Sequence, residues 1–179
     1  MDQKVLVTYA SVMGSTTGIA RAIGDEIRAG GVIVHTLPIN QVGAVENYRS
    51  VILGSPLYEG HWLEPATLFL EQHRDFLSKI PVALFVVVAN PRETVDDRRI
   101  RVHRYLDPML QKSPEIKPVD IGIFTGAFNS RQWALPTLLA YKAQGELPPD
   151  GDYRDWNAIR TWARHIRPLL LPESAAAGQ

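Results

Sequence analysis

"YASVMGSTTGIARAIGDEI", residues 9–27, leaves an apolar run and finishes inside a helix-period pattern. Between the two stand Ser11, Gly14, Ser15, Thr16 and Thr17, with no lysine and no acid among them. Ile19, Ala20, Ile23 and Ile27 fall on one helical face, and Gly30-Gly31 is expected to stop that helix. The run before it, Val5–Tyr9, is short and nearly continuous in apolar residues, as a strand covered on both faces reads. A strand that passes to a helix through hydroxyls gathers unpaired N–H groups, the positive end of the helix dipole and side-chain donors at one point. That combination suits an anion. One hydroxyl would be ordinary N-capping; several after a first buried strand point to a phosphate, with Gly14 letting the backbone come close.

Outward from this stretch, similar apolar runs recur at Val32–Leu37, Val51–Leu53, Val82–Val88 and Val119–Phe124. Helix-period segments lie between them, roughly Glu64 to Leu77 and Thr94 to Leu110, the second expected to be disturbed by Asp107-Pro108. A last helix is expected from an Asp155 N-cap, with Trp156, Ile159, Ala163 and Ile166 on one stripe until Pro168. Strand and helix in alternation predict an α/β fold, a doubly wound parallel sheet with right-handed crossovers. We expect one domain over residues 1–172, an irregular insertion over 127–154, and a flexible tail over 173–179. The insertion holds Pro136, Gly145, Pro148-Pro149 and Gly151, and reads either as a lid or as a short helix, Leu135–Gln144, with loops.

Composition narrows the function. The chain has 179 residues, 45% of them hydrophobic, enough for one sizeable core. Nineteen basic residues balance nineteen acidic ones, so the broad basic surface of a nucleic-acid binder is not expected. Cysteine is absent, which removes disulfides and thiolate chemistry and agrees with a reducing cytoplasm. The first residues have no signal-peptide shape, and no stretch of ~20 apolar residues exists to span a bilayer. The five histidines show no metal-ligand spacing, so no metal is expected.

Three kinds of phosphate loop fail on spacing. A P-loop needs Gly-Lys, which occurs nowhere in the chain. A dinucleotide loop needs G-x-G-x-x-G and an acid at the second strand's end; here Gly14 and Gly18 stand alone and the strand ends Leu37-Pro38-Ile39-Asn40. A response-regulator domain would carry carboxylates at its strand ends, where this chain has Tyr9-Ala10-Ser11 and Leu53-Gly54-Ser55.

A mononucleotide phosphate held by neutral donors remains, and the loop Ser11-Val12-Met13-Gly14-Ser15-Thr16 resembles the phosphate loop of the flavodoxin family, T/S-x-T-G-x-T. Met13 replaces a hydroxyl of that pattern, so only its backbone N–H is expected to serve the phosphate. The resemblance implies a five-stranded parallel sheet of order 2-1-3-4-5, helices on both faces, and FMN as cofactor. "GSPLYEGHW", Gly54 to Trp62, resembles the family's G-S-P-x-Y-x-x-G loop around the isoalloxazine ring. By that likeness Pro56 and Leu57 supply an apolar wall, Tyr58 or Trp62 stacks on the ring, and Gly60 lets a carbonyl turn toward flavin N5. For either aromatic the competing role is core packing. Asn90 and Arg92, with Thr125 and the backbone of Gly126 and Ala127, are expected at the pyrimidine edge, since ligands lie outside the C-terminal strand ends.

FMN carries the redox chemistry and the protein tunes it. Carrier flavodoxins are strongly acidic, whereas this chain is neutral overall. His61 and Arg92, if they face the ring, would favour two-electron chemistry, and Glu59 would oppose them. "GSPLYEGHW", "RETVDDRRIRVHRYLD", "IGIFTGAF" and "YRDWNAIRTWARHI" together resemble the flavodoxin-type protoporphyrinogen dehydrogenases, which oxidise protoporphyrinogen IX in heme synthesis and pass electrons to a quinone. That likeness implies an FMN-dependent oxidoreductase meeting a small redox substrate or quinone. The other readings are an electron carrier docking to a redox protein, and a quinone reductase. Residues 127–154 hold Arg131, Lys142 and Arg154 against Glu146, Asp150 and Asp152, so membrane contact is expected to be peripheral at most. Arg98, Arg99, Arg101 and Arg104 read either as a solvated face with local ion pairs or as contacts for substrate carboxylates.

Overall fold

The computed structural model describes residues 4–58, 60–89, 91–143, 145 and 147–172. Five parallel strands, β1 (Lys4–Tyr9), β2 (Ile33–Pro38), β3 (Ser50–Tyr58), β5 (Val82–Val88) and β6 (Asp120–Thr125), lie in the order β2-β1-β3-β5-β6. This is the doubly wound order expected, since the intervening β4 (His61–Trp62) only folds back antiparallel on the end of β3. β5 is buried along its whole length, in keeping with its unbroken run of apolar residues.

The helices cover both faces. α1 (Ser15–Arg28) and α6 (Trp156–Leu170) pack on one side, where Ile19, Ile23, Ile27, Ile159, Ala163 and Ile166 are fully buried against the sheet. α2 (Glu64–Gln72), α3 (Arg74–Leu77) and α4 (Val95–Leu110) bury Ala66, Phe69, Leu77, Val102 and Leu106 on the other. Gly54 admits the core directly: a Cβ there would lie 1.9 Å from Phe85 Cζ. Both outer strands carry a charged side chain on their backbone. Arg28 donates to the Val34 carbonyl of β2 at 3.1 Å, and Asp120 Oδ1 accepts the Ile121 N–H of β6 at 2.7 Å. The other Asp120 oxygen accepts Trp162 Nε1–H from α6 at 3.2 Å.

Three elements run differently from the sequence reading. β3 runs on from Leu53 to Tyr58 because β4 pairs with its end, Leu57 with Trp62 and Tyr58 with His61. The helix expected over Glu64 to Leu77 is broken at His73, whose φ of −105° and ψ of 14° leave the helical region before α3 resumes. α4 reaches Leu110 as expected, without the disturbance expected at Asp107-Pro108, because buried Val102 and Leu106 hold its face and Gln111 N–H still bonds to the Asp107 carbonyl. α6 passes Pro168 for the same reason, with Ile166 and Leu170 buried on either side. Asp155 caps α6 as expected, accepting Ala158 N–H at 2.9 Å.

Residues 127–154 form a short helix with loops on a fastened base. β7 (Ala127–Phe128) pairs antiparallel with β8 (Gly151–Asp152), and Asp150 accepts both the Ser130 N–H and its hydroxyl, at 2.7 and 3.0 Å. The helix, α5 (Leu135–Ala143), has no buried residue. Gln144, the last residue of the expected helix, Glu146 and the tail at 173–179 lie outside the described residues.

Candidate functional site

One hydroxyl of the passage from β1 to α1 bonds within the loop, while Ser15 and Thr17 are half-buried and Thr16 is buried. Ser11 Oγ accepts the Gly14 N–H at 3.0 Å, and Gly14 itself sits at φ 83°, in the left-handed region, as the N-cap of α1. Among the described residues no side chain caps this helix, and no acid stands in its first turn. The simple capping explanation for Ser15 and Thr16 therefore does not hold. The first N–H groups of a fourteen-residue helix are left pointing outward, with the positive end of its dipole. A Cβ at Gly14 would meet nothing within 4 Å, so the space beside it is open.

The second wall is built by β3 and its hairpin. Ser55 is fully buried; its hydroxyl donates to the Pro56 carbonyl and accepts Leu63 N–H, each at 3.0 Å. This pair of bonds ties the way out of the hairpin to the way in and presents Pro56, Leu57 and Tyr58 on one side. Trp62 goes the other way: it is 7% exposed within the core, which settles its role as packing. The third wall is the turn after β6, where the Gly126 N–H bonds to Val88 O and its carbonyl accepts the Tyr153 N–H. A Cβ at Gly126 would lie 3.0 Å from Ser15 Oγ, so the turn and the start of α1 touch.

These walls enclose a cleft of about 470 Å³, including space open to solvent, lined by residues of four loops. Val12, Met13, Ser15 and Thr16 come from the first, Pro56, Leu57 and Tyr58 from the second, and Gly126 and Ala127 from the fourth. The third loop contributes Ala89 after Val87 and Val88. Trp133, from the segment before α5, completes the lining, with its ring 5.2 Å from that of Tyr58 and at 32° to it. Phe128 and Tyr141 pack on the same indole at 5.2 and 5.3 Å. No charged side chain lines the cleft among the described residues.

Of the residues expected at a flavin, the structure thus brings together Val12, Met13, Ser15, Thr16, Pro56, Leu57, Tyr58, Gly126 and Ala127, with Ser11 and Gly14 shaping the loop. Glu59 and Asn90 lie outside the described residues. Gly60, at φ 80°, forms the hairpin tip and faces Tyr105 of α4. Arg92 is exposed and, like His61, is not in the lining; Thr125 lines a neighbouring groove between α4 and α6. Trp133 was not legible from spacing, since nothing in an irregular insertion tells which aromatic folds back.

The arginines of α4 are engaged locally. Arg101 pairs with Glu93 at 2.5 Å, Arg98 donates to the Glu93 carbonyl at 3.2 Å, and together they fasten the loop after β5 to the helix. The other strong pair stands beside α1. Arg154 bonds to Asp152 through Nε at 2.8 Å and Nη2 at 2.5 Å, and its guanidinium stacks 4.5 Å from the Trp156 ring. The Arg154 hydrogen bonds hold the Asp152 carboxyl below its usual range, and Asp152 raises the arginine in return. Gly18 leaves room for this: a Cβ there would lie 2.6 Å from Arg154 Nη1.

Comparison with known proteins agrees with this architecture. Protoporphyrinogen IX dehydrogenase [quinone] of Leishmania major is 27% identical over 182 residues, covering 94% of this chain and 78% of that protein. Among solved structures, rubredoxin oxygen:oxidoreductase of Desulfovibrio gigas superposes with a TM-score of 0.60 at 16% identity. That match covers 97% of this chain and only 37% of the longer protein. The flavodoxin of Fusobacterium nucleatum bound to flavin mononucleotide superposes with a TM-score of 0.50 at 16% identity, covering 94% and 99% of the two chains. The family model described as the flavodoxin domain matches residues 6–135, which span the loop between β1 and α1, the β3–β4 hairpin and the turn after β6. By that match, which covers more than half of its residues, the chain belongs to the flavodoxin-domain family.

Proposed function

We propose that this chain binds FMN in the four-loop cleft and works as an oxidoreductase of the protoporphyrinogen dehydrogenase type, with a quinone as the electron acceptor. The observation that carries the reading is the uncapped start of α1, opening into an uncharged, largely apolar cleft at the C-terminal edge of the sheet. A phosphomonoester fits the first part and a flat aromatic ring system fits the second. In this reading the N–H groups of the first turn, with the Ser15 and Thr16 hydroxyls, hold the phosphate. Pro56, Leu57, Val12 and Trp133 exclude water from the ring, Tyr58 supplies a face for stacking, and the backbone of Gly126 and Ala127 serves the pyrimidine edge. FMN, when bound, supplies the capacity to take up two electrons and pass them on. The likeness to the Leishmania major dehydrogenase supports the substrate class.

A carrier role is the second reading, favoured by one observation: among the described residues no carboxylate, histidine, lysine or arginine stands in the lining to handle a substrate proton. No helix among the described residues is long and apolar enough to cross a membrane, and we place the protein in the cytoplasm. The deciding experiment has two steps. Fluorescence titration should show FMN bound, and riboflavin, which lacks the phosphate, bound at least about tenfold more weakly. Loaded protein should then oxidise protoporphyrinogen IX with a menaquinone analogue. Equal affinity for the two flavins would remove the phosphate assignment, and FMN binding without substrate oxidation would leave the carrier.

A further inference from the structure

We propose that the Trp133 indole plugs the cleft, covering a face of Tyr58 until a flat ring displaces it, and that its displacement loosens α5. The inference rests on the FMN reading above, since it takes the flavin as the displacing ring. The rings of Tyr58 and Trp133 both line the cleft, with centroids 5.2 Å apart and planes 32° from parallel. A third ring stacked between them would need about 7 Å between the centroids, two stacking distances of about 3.5 Å each. The observed gap admits none. One of the two must give way before a ring can lie on the covered face of Tyr58.

The supports of the two rings differ. Tyr58 belongs to β3, a strand of the sheet whose end is paired with β4 and tied from within by the buried Ser55 hydroxyl. Trp133 is half-buried and stands between Ser130, which Asp150 holds by two hydrogen bonds, and α5, none of whose residues is buried. Trp133 is therefore the ring that moves. Its indole packs on two further rings. Phe128, buried in the base of the insertion, lies 5.2 Å away, and Tyr141 of α5 meets it edge-on at 5.3 Å. One side chain thus closes the cleft and fastens α5. Burial adds little to that fastening, because Leu135 and Leu139 of the helix are 67% and 56% exposed. An aromatic pair of this kind is worth about a two- to tenfold change in population, so losing the indole should be felt along the helix.

The test follows tryptic cutting after Lys142, which is exposed on α5, in the full chain with and without FMN. Trypsin cuts a helix only when it opens, so the rate reports how often α5 is loose. In the unsubstituted protein, saturating FMN should speed this cut by about two- to tenfold. A ligand that only stabilised the fold would slow it. Trp133→Ala should be cut fast without flavin and gain nothing from FMN, and it should take up FMN about two- to tenfold faster in stopped-flow fluorescence. Tyr141→Ala separates the two roles. Its indole still packs on Phe128 and Tyr58, so α5 should be cut fast without flavin while FMN uptake keeps the unsubstituted rate. Unchanged or slower cutting with FMN would overturn the release of α5, and unchanged uptake by Trp133→Ala would overturn the plug. If the unsubstituted protein takes up no FMN, the functional reading falls and the plug with it. The cutting of Trp133→Ala without flavin would then still decide whether the indole fastens α5.

Discussion

Two glycines show how differently the same residue type is used. Gly14 has open space around it and a φ of 83°, so Gly14→Ala should cost about 1 kcal/mol from backbone strain alone. Gly54 has ordinary backbone and no space, because a methyl group placed there would fall 1.9 Å from Phe85 Cζ. Gly54→Ala should therefore cost at least about 1–3 kcal/mol through overpacking. Urea denaturation of the two variants checks both, and a smaller loss at Gly54 than at Gly14 would contradict the packing. Charge makes a further prediction at this scale. Asp152 is more acidic in the fold than in the open chain, so its contribution to stability is complete above the usual carboxylate range. That contribution is lost as pH falls through the lowered value. The Arg154 stack on Trp156 should loosen in the same acid range, seen as a change in tryptophan emission that Asp152→Asn should show already at neutral pH. The hydroxyl cluster was legible at residue scale because strand, hydroxyls and helix follow one another directly. What the sequence hid was that Ser11 serves the loop itself, a bond that only the turn at Gly14 creates.

Elements whose partners are dictated by their own periodicity were readable in advance. The stripe Ile19, Ala20, Ile23, Ile27 named the buried face of α1, and all four are fully buried. Ile23→Ala should lower stability by about 2–5 kcal/mol. Asp155→Ala, which removes the cap of α6, should lower it by about 1 kcal/mol, so a thermal melt must rank the two in that order. The β3–β4 hairpin could not be read the same way. Two residues, His61-Trp62, carry no alternation, and their pairing with Leu57 and Tyr58 depends on Ser55 closing the loop from within. The break at His73 is likewise invisible to periodicity, since the apolar positions on either side keep helical spacing. Proline misled in the opposite direction. Pro108 and Pro168 each remove one hydrogen bond, but buried neighbours hold both helices on course beyond them.

For the molecule as a whole, the order of parallel strands places four loops on one edge, and the cleft follows from that order more than from any single motif. Occupancy should therefore be felt globally: FMN at about a hundred times its Kd should add about 2.7 kcal/mol to unfolding, with a clearly smaller gain from riboflavin at the same concentration. The two outer strands carry a different consequence. A sheet that ends in free N–H and C=O groups is a template on which a second chain can add its own strand. Here Arg28 covers a carbonyl on one border and Asp120 an amide on the other. By occupying those edge groups, the two side chains should hinder self-association, a consequence unrelated to the cleft. Removing the Asp120 carboxylate frees the Ile121 amide and strips Trp162 of its acceptor, leaving the β6 border ready to recruit another copy. Asp120→Ala should accordingly scatter light and sediment as aggregates at concentrations where the unsubstituted protein stays dispersed, while still taking up flavin.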